Sequence, residues 1–398
     1  MDKPPLIRRV VIHNYKSIAK CDVTLGRFNV FVGRNGAGKS NFLDALQFVS
    51  DCLSESLSAA FDRRNGIGDV LRHGDENPSS FQIEIELDLS TSNAKYKLDI
   101  ALQPHGGFAV QEEELLIEDI AAEDPSPAMF NCQMGNLKLH ADYEGKTRRF
   151  FADRLYLPVA SDMPAFRQVY DALTGIGVFH PIPEFARKPH KLEPGIRLSK
   201  SGSNLTRAVS RLSRERPKTL ARIVEYLAQI VPGLVTVQPL EIGGYEILEF
   251  LLQVHGESQP RKFQSQNMSD GTLRSLAVLV AALQFLESPD SSHVIGIEEP
   301  EAAIHPSAMA VLLDALREAS VNTQILITTH SPDLVDGVDL DTDHLFAVSD
   351  TTGSTVIEPV DDASVMAIRT HLYSAGELLR MDQLEPRSVH SIEEVAPK

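Results

Sequence analysis

"FNVFVGRNGAGKSNFLDAL", residues 28–46, decides the class of this chain. Phe28–Val32 is almost wholly apolar and reads as a buried strand. Gly33-Arg34-Asn35-Gly36-Ala37-Gly38-Lys39-Ser40 matches G-x-x-x-x-G-K-[ST], and the residues from Asn41 onward read as a helix. Strand, glycine loop and helix thus stand in the order the motif requires. The glycines let backbone N–H groups turn inward around phosphates, Lys39 brings positive charge to the β- and γ-phosphates, and the Ser40 hydroxyl is placed to ligate Mg²⁺. The expectation is an ATP and Mg²⁺ site over residues 33–41.

Working outward, Ile7–Ile12 and Cys21–Leu25 read as strands joined by a turn at Asn14–Ser17. Phe81–Leu89, Tyr96–Leu102 and Phe108–Ile117 alternate apolar with polar residues, which predicts an antiparallel, β-rich side lobe. From Arg154 to Leu234 the pattern turns helical, broken by Pro181, Pro183, Pro189 and Pro194, with "SKSGSN" (199–204) as a flexible tip. Two strands follow around Gly244–His255. Beyond them come a helix opened by "NMSDGTLRS" (267–275), a strand Val294–Ile297, a helix Pro306–Ala319, and strands Gln324–Thr328 and Leu345–Val348. Strands alternating with helices imply a parallel sheet covered on both faces. The fold class expected is α/β, with residues 1–153 as the first part of the head and 154–234 as an inserted, mainly helical subdomain. Residues 235–360 complete the head, and 361–398 form a tail.

The 398 residues are 42% hydrophobic, enough for a sizeable core. No apolar run reaches the roughly 18–20 residues of a membrane span, and the N-terminus lacks a signal-peptide pattern, so a cytoplasmic protein with no membrane partner is expected. Cys21, Cys52 and Cys132 show no metal-ligand spacing and read as buried thiols. A net charge of −17 argues against general affinity for nucleic-acid phosphates. Nucleic acid remains possible through a local basic patch, for which "RKPHK" (187–191) and "RAVSRLSRER" (207–216) are candidates. The second also reads as the solvated face of a helix.

Three further stretches carry chemistry. "VIGIEEPEAAIHPS" (294–307) is an apolar strand ending in two acids. Placed beside the phosphate strand, it would put Glu298 near Mg²⁺ and Glu299 near the attacking water. "ILITTHSPDLV" (325–335) is a buried strand ending at His330, which at the C-terminal edge of such a sheet is placed to meet a γ-phosphate. Ser269, Asp270 and Gly271 cap the helix that follows and expose its first N–H groups to an anion.

The ordered set GRNGAGKSN, NMSDGT, IGIEEPEAAIHP and TTHSP resembles the ABC-type P-loop ATPase heads of the SMC/RecF/OLD group. It is most similar to their short branch, which lacks a long coiled coil and a fused Toprim nuclease. The resemblance covers residues 1–120 and 235–350. It implies Gly33–Ser40 as Walker A, Glu298 as the Walker B acid, Glu299 as catalytic base and His330 as switch histidine. Ser269-Asp270-Gly271 becomes a signature motif that closes on the ATP of a second subunit, hence a homodimer or higher homo-oligomer with composite ATP sites.

Glu298 departs from the family's usual Asp, which implies slow hydrolysis, and His305 stands where transporter ATPases carry Asp. The family's Q-loop glutamine has three candidates, Gln82, Gln103 and Gln111. The function implied is an ATP-hydrolysing switch in DNA repair or phage defence, working with a separately encoded nuclease or toxin. The alternative is a transporter's nucleotide-binding subunit, against which stand the degenerate signature and the large middle segment. Only residues 349–398 follow the last strand, short for an internal nuclease. "DLDTDH" (339–344) reads as a solvated turn, and "YSAGELLRMDQL" (373–384) as a docking helix for the effector.

Overall fold

The computed structural model describes residues 6–73, 77–89, 91–119, 127–140, 148–191, 197–287, 293–351 and 353–387. Pro194 and the end of the tail, residues 388–398, lie outside them.

The centre is a six-stranded sheet in the order Ile176–Phe179, Val294–Glu298, Gln324–Thr329, Phe28–Val32, His344–Thr351, Ser354–Pro359. The first five strands run parallel and the last is antiparallel to its neighbour. Phe28–Val32 is buried at every position because it lies inside a sheet covered on both faces. Its side chains alternate: Phe31 packs with the helix Lys39–Ser54, while Phe28, Val30 and Val32 join the core on the other face. That second face holds the helix Asp270–Leu283, almost wholly buried and apolar. The helix after the phosphate loop and the helix after "NMSDGT" therefore cover opposite faces of one sheet.

Two expectations need correction. The strand ending in Glu298 is not beside the phosphate strand, since Gln324–Thr329 pairs with both and separates them. Parallel strands are joined by helical crossovers, so chain order does not dictate neighbours. All three nevertheless end at the same edge, in the register Glu298–Thr328 and Thr328–Phe31. The stretch 154–234 carries helices Leu157–Ala160, Pro164–Thr174, Pro183–Ala186, Leu205–Glu215 and Pro217–Ile230, but Ile176–Phe179 inside it is an edge strand of the central sheet. Four residues containing a glycine are too short to show a period.

The side lobe is an eight-stranded antiparallel sheet that takes in the N-terminal hairpin Leu6–Tyr15 and Ile18–Thr24 along with Ser80–Asp88, Ser92–Leu102 and Phe108–Asp119. Leu234–Ile242 and Tyr245–Leu252 form a hairpin in a separate small sheet with Arg261–Gln264. The three cysteines are free and buried.

The lobe is tied to residues 154–160 by Glu113, which is completely buried. Its carboxyl accepts from the Tyr96 hydroxyl at 3.0 Å, the Leu157 N–H at 3.0 Å and the Tyr156 N–H. Burial raises its pKa to about 7, against the opposing pull of these donors. The unfolded chain ionises this carboxyl first, at its ordinary value near 4.5. Stability from this group is therefore complete below about pH 4.5, lost as pH climbs to 7, and flat beyond. Denaturant titrations of wild type and Glu113→Gln from pH 4.5 to 7.5 should show the wild-type advantage shrinking by on the order of 3 kcal/mol. A pH-independent difference would refute the assignment.

Candidate nucleotide site

The phosphate loop is shaped by its glycines. Gly36 and Gly38 have φ of +82° and +101°, in the left-handed region. A Cβ on Gly38 would also stand 2.0 Å from the Thr355 hydroxyl. Thr355 is a residue that sequence reasoning missed. Its hydroxyl donates to the Ala37 carbonyl at 2.9 Å and meets Ser17 Oγ at 2.6 Å, and Ser17 Oγ accepts from Asn41 Nδ2 at 2.6 Å. The loop is thus braced by the last strand of the central sheet and by the N-terminal hairpin. Nothing local in "GSTV" signals that role. Gly38 offers no side-chain cap to the helix Lys39–Ser54, so that helix start keeps free N–H groups for an anion. Arg34, Asn35, Gly36 and Ser40 are exposed at the mouth.

Lys39 is buried, and its Nζ donates to the carbonyls of Gly33 at 2.7 Å and Arg34 at 2.8 Å. Desolvation lowers its pKa, while Glu299, Glu301 and Glu298 oppose that shift, which places all three carboxylates within electrostatic reach of the loop.

Glu299 has φ +45°, unusual for a residue with a side chain. The conformation is held by the Glu299 N–H donating to the Thr328 carbonyl at 2.9 Å and by Arg274 Nη2 donating to the Glu299 carbonyl at 3.1 Å. The Glu299 carboxylate faces His330 Nδ1 at 3.2 Å. Glu298 faces another imidazole, His180 Nδ1, at 3.5 Å. The third acid, Glu301, is buried and accepts from the Thr329 hydroxyl at 2.5 Å, with its pKa raised by burial. Its spacing in "EEPEAA" was the available signal for it.

The signature stretch begins the helix Asp270–Leu283, where Ser269 Oγ accepts from the Thr272 N–H at 3.2 Å. Gly271 lies so close to the Ala303 carbonyl that a Cβ would sit at 2.3 Å from it. Arg187, from the basic "RKPHK", pairs with Asp270 and donates to the Met268 carbonyl at 2.9 Å. Among the described residues, no hydrogen bond or ion pair of Ser269 or Asp270 reaches the phosphate loop of the same chain. The structure brings together Lys39, Glu298, Glu299 and His330, while Gly271 of the signature lies against Ala303, beyond the acidic pair.

Arg274, one turn into that helix, is buried and spans the region. Its guanidinium donates to the carbonyls of Pro181 at 2.9 Å, Glu298 at 3.3 Å and Glu299 at 3.1 Å. None of the three glutamines reaches this place. Gln82 and Gln111 lie in side-lobe strands, and Gln103 in the turn between two of them. The position at the end of the edge strand, next to Glu298, is held by His180.

Other sequence candidates resolve into structure. Of the arginines in the helix Leu205–Glu215, Arg214 is exposed, and Arg207 and Arg211 are half-buried. Asp343 of "DLDTDH" is buried against Arg317 at 2.7 Å. "SKSG" is not a free tip, since the Lys200 and Ser201 carbonyls accept from the N–H groups of His180 and Ile182. The tail helix Ala375–Arg380 packs back on the head, through the Gly376 N–H to Asp336 at 2.6 Å, Arg380 to Asp333 at 3.0 Å and Asp382 to Arg34 at 2.5 Å. Among the described residues, no helix is long and apolar enough to cross a membrane.

Comparison with known proteins gives the family and the fold. Residues 28–336, more than three quarters of the chain, match the family described as "AAA domain, putative AbiEii toxin, Type IV TA system". The Old nuclease of Escherichia phage P2 is 23% identical over 364 residues, covering 82% of this chain and 56% of that protein. The DNA replication and repair protein RecF of Porphyromonas gingivalis is 43% identical over 72 residues, 18% of each chain. The chain thus spans little more than half the length of the one relative and under a fifth of the other. Among solved structures, an Smc head bound to the C-terminal domain of ScpA, from Pyrococcus furiosus, superposes with a TM-score of 0.57 at 16% identity, covering 92% of this chain and 99% of that one. Another Smc head, bound to the C-winged helix domain of ScpA, gives 0.55 at 16% identity, covering 90% and 99%. The chain belongs to this AAA-domain family and is a P-loop ATPase of the SMC/RecF/OLD type, built on an SMC-head-like fold.

Proposed function

We propose that the chain binds ATP with Mg²⁺ at residues 33–41, hydrolyses it, and uses the cycle to join and release two copies of itself. The observation that carries the reading is the convergence of Lys39, the strained Glu299 and its partner His330 at one edge of the parallel sheet. Ser40 and Glu298 offer a hydroxyl and a carboxylate, the hard oxygen donors that suit Mg²⁺. When bound, the cation neutralises charge on the β- and γ-phosphates. Lys39 exchanges the Gly33 and Arg34 carbonyls for phosphate oxygens. Glu299 accepts a proton from the attacking water, and His330 holds that carboxylate while facing the γ-phosphate.

Ser269, Asp270 and Gly271 close the site of a second copy. The two helices cover opposite faces of one sheet, and among the described residues Ser269 and Asp270 make no polar contact with their own phosphate loop, which supports an arrangement with two-fold symmetry. The cellular setting we infer is DNA repair or phage defence in the cytoplasm, with a separately encoded nuclease or toxin as effector. The family's description and the names of the relatives support that setting.

Mixing Lys39→Ala with Ser269→Arg subunits tests the composite site, since each mixed dimer keeps one good loop facing one good signature. Each variant alone should be inactive, and the mixture should regain up to about half the wild-type ATPase rate per mixed dimer, one site of two. Mixed dimers without regained activity would return Ser269-Asp270-Gly271 to an ordinary helix cap.

A further inference from the structure

We propose that His180 is a ligand of the nucleotide-bound cation, sharing it with Glu298 and Ser40, and that its nitrogen shifts the site's preference from Mg²⁺ toward Mn²⁺. The inference rests on the nucleotide-site reading above and adds a residue and a metal selectivity to it.

The two adjacent acids each face a histidine, but the two pairs differ. Glu299 and His330 stand 3.2 Å apart, near hydrogen-bonding distance. His180 Nδ1 and Glu298 Oε2 stand 3.5 Å apart, long for a hydrogen bond yet close enough for both atoms to face one cation. The His180 side chain is 51% exposed, so it is free to close that gap.

Its backbone, by contrast, is fixed. Ile176–Phe179 pairs with Val294–Ile297 in parallel register, which delivers the next residue of each strand, His180 and Glu298, to the same edge. Arg274 then locks the two turns to each other by donating to the Pro181 and Glu298 carbonyls. The His180 N–H donates to the Lys200 carbonyl at 2.8 Å, so the "SKSG" loop braces the segment from the other side. The register with Val294–Ile297 and the hydrogen bonds at the His180 N–H and the Pro181 carbonyl thus hold a solvent-facing imidazole beside Glu298.

The donor chemistry sets the expected selectivity. Mg²⁺ takes oxygen ligands and tolerates nitrogen poorly, whereas imidazole raises affinity for first-row transition ions, of which Mn²⁺ is the weakest binder and the nearest to Mg²⁺ in geometry. Glu298 in place of the shorter Asp sets its carboxylate about one methylene further out, toward the edge where His180 stands.

The test uses the full chain with a non-hydrolysable ATP analogue and Mn²⁺ alone as the probe. Pulsed EPR of the bound Mn²⁺ should show the nuclear modulation of an imidazole nitrogen, lost in His180→Gln and kept in His330→Gln. Calorimetric titration should show Mn²⁺ binding about tenfold or more tightly than Mg²⁺ in wild type, a ratio that falls about tenfold in His180→Gln. The proposal is overturned if wild-type protein holds Mn²⁺ and nucleotide without nitrogen modulation, or if the modulation persists in His180→Gln. A parallel calorimetric titration with the ATP analogue reads nucleotide uptake directly. Wild-type protein that takes up no nucleotide would overturn the phosphate-loop reading together with this one, whereas uptake without nitrogen contact overturns this one alone.

Discussion

Replacing Glu299 with Gln should lower ATP turnover by about 10²- to 10⁴-fold, the usual contribution of a positioned general base, while nucleotide affinity stays within a few-fold of wild type. The amide keeps the size and the backbone geometry of the side chain but cannot accept a proton. The strained φ of +45° should survive, since the Thr328 and Arg274 contacts that hold it are made by the backbone of Glu299 and not by its carboxylate. If ATP is what joins two copies, the variant should accumulate as a nucleotide-bound pair in native mass spectrometry. Steady-state phosphate release at the wild-type rate would show that another group activates the water. Glu301 is the less suitable alternative, because it is buried and committed to Thr329.

Lys39→Ala should weaken ATP binding on the order of 100-fold, because a charge-assisted contact to phosphate contributes roughly 1.5–3 kcal/mol per bond and this lysine is placed to make more than one. The fold should be little affected. Lys39 Nζ serves two loop carbonyls that lie near the surface, and the loop's shape is set by Gly36, Gly38 and the Thr355 brace. Removing the lysine also leaves Glu298, Glu299 and Glu301 with one fewer of the two cations, Lys39 and Arg274, that face all three, so the empty site of the variant should repel a polyphosphate further. Calorimetry that finds unchanged affinity would remove the basis for nucleotide binding at residues 33–41.

Much of the candidate site was legible in the sequence because it is made of short, contiguous stretches whose chemistry is local. A glycine loop between an apolar strand and a helix, two acids at a strand end, a histidine at another strand end and a serine cap each announce themselves within about ten residues. The α/β class followed from strands alternating with helices, and the side lobe from period-two alternation. The remainder depends on pairs far apart in the chain. Thr355 braces Ala37 across 318 residues, Arg274 joins Pro181 to Glu298 and Glu299, and Glu113 holds Tyr156 and Leu157. The Gln324–Thr329 strand stands between two strands that motif logic put side by side, because helical crossovers let strands distant in the chain become neighbours in a parallel sheet.

His180 shows the division most clearly. "VFHPIP" has no motif, and a lone histidine beside prolines reads as loop. Its place beside Glu298 arises because a four-residue strand pairs in register with Val294–Ile297 and ends where that strand ends. By itself the sequence determined which groups make up the candidate nucleotide site, since each is carried by a local backbone pattern. Only the tertiary structure decided which other groups stand beside them, since that depends on sheet order and strand register, which are set by packing of the whole chain.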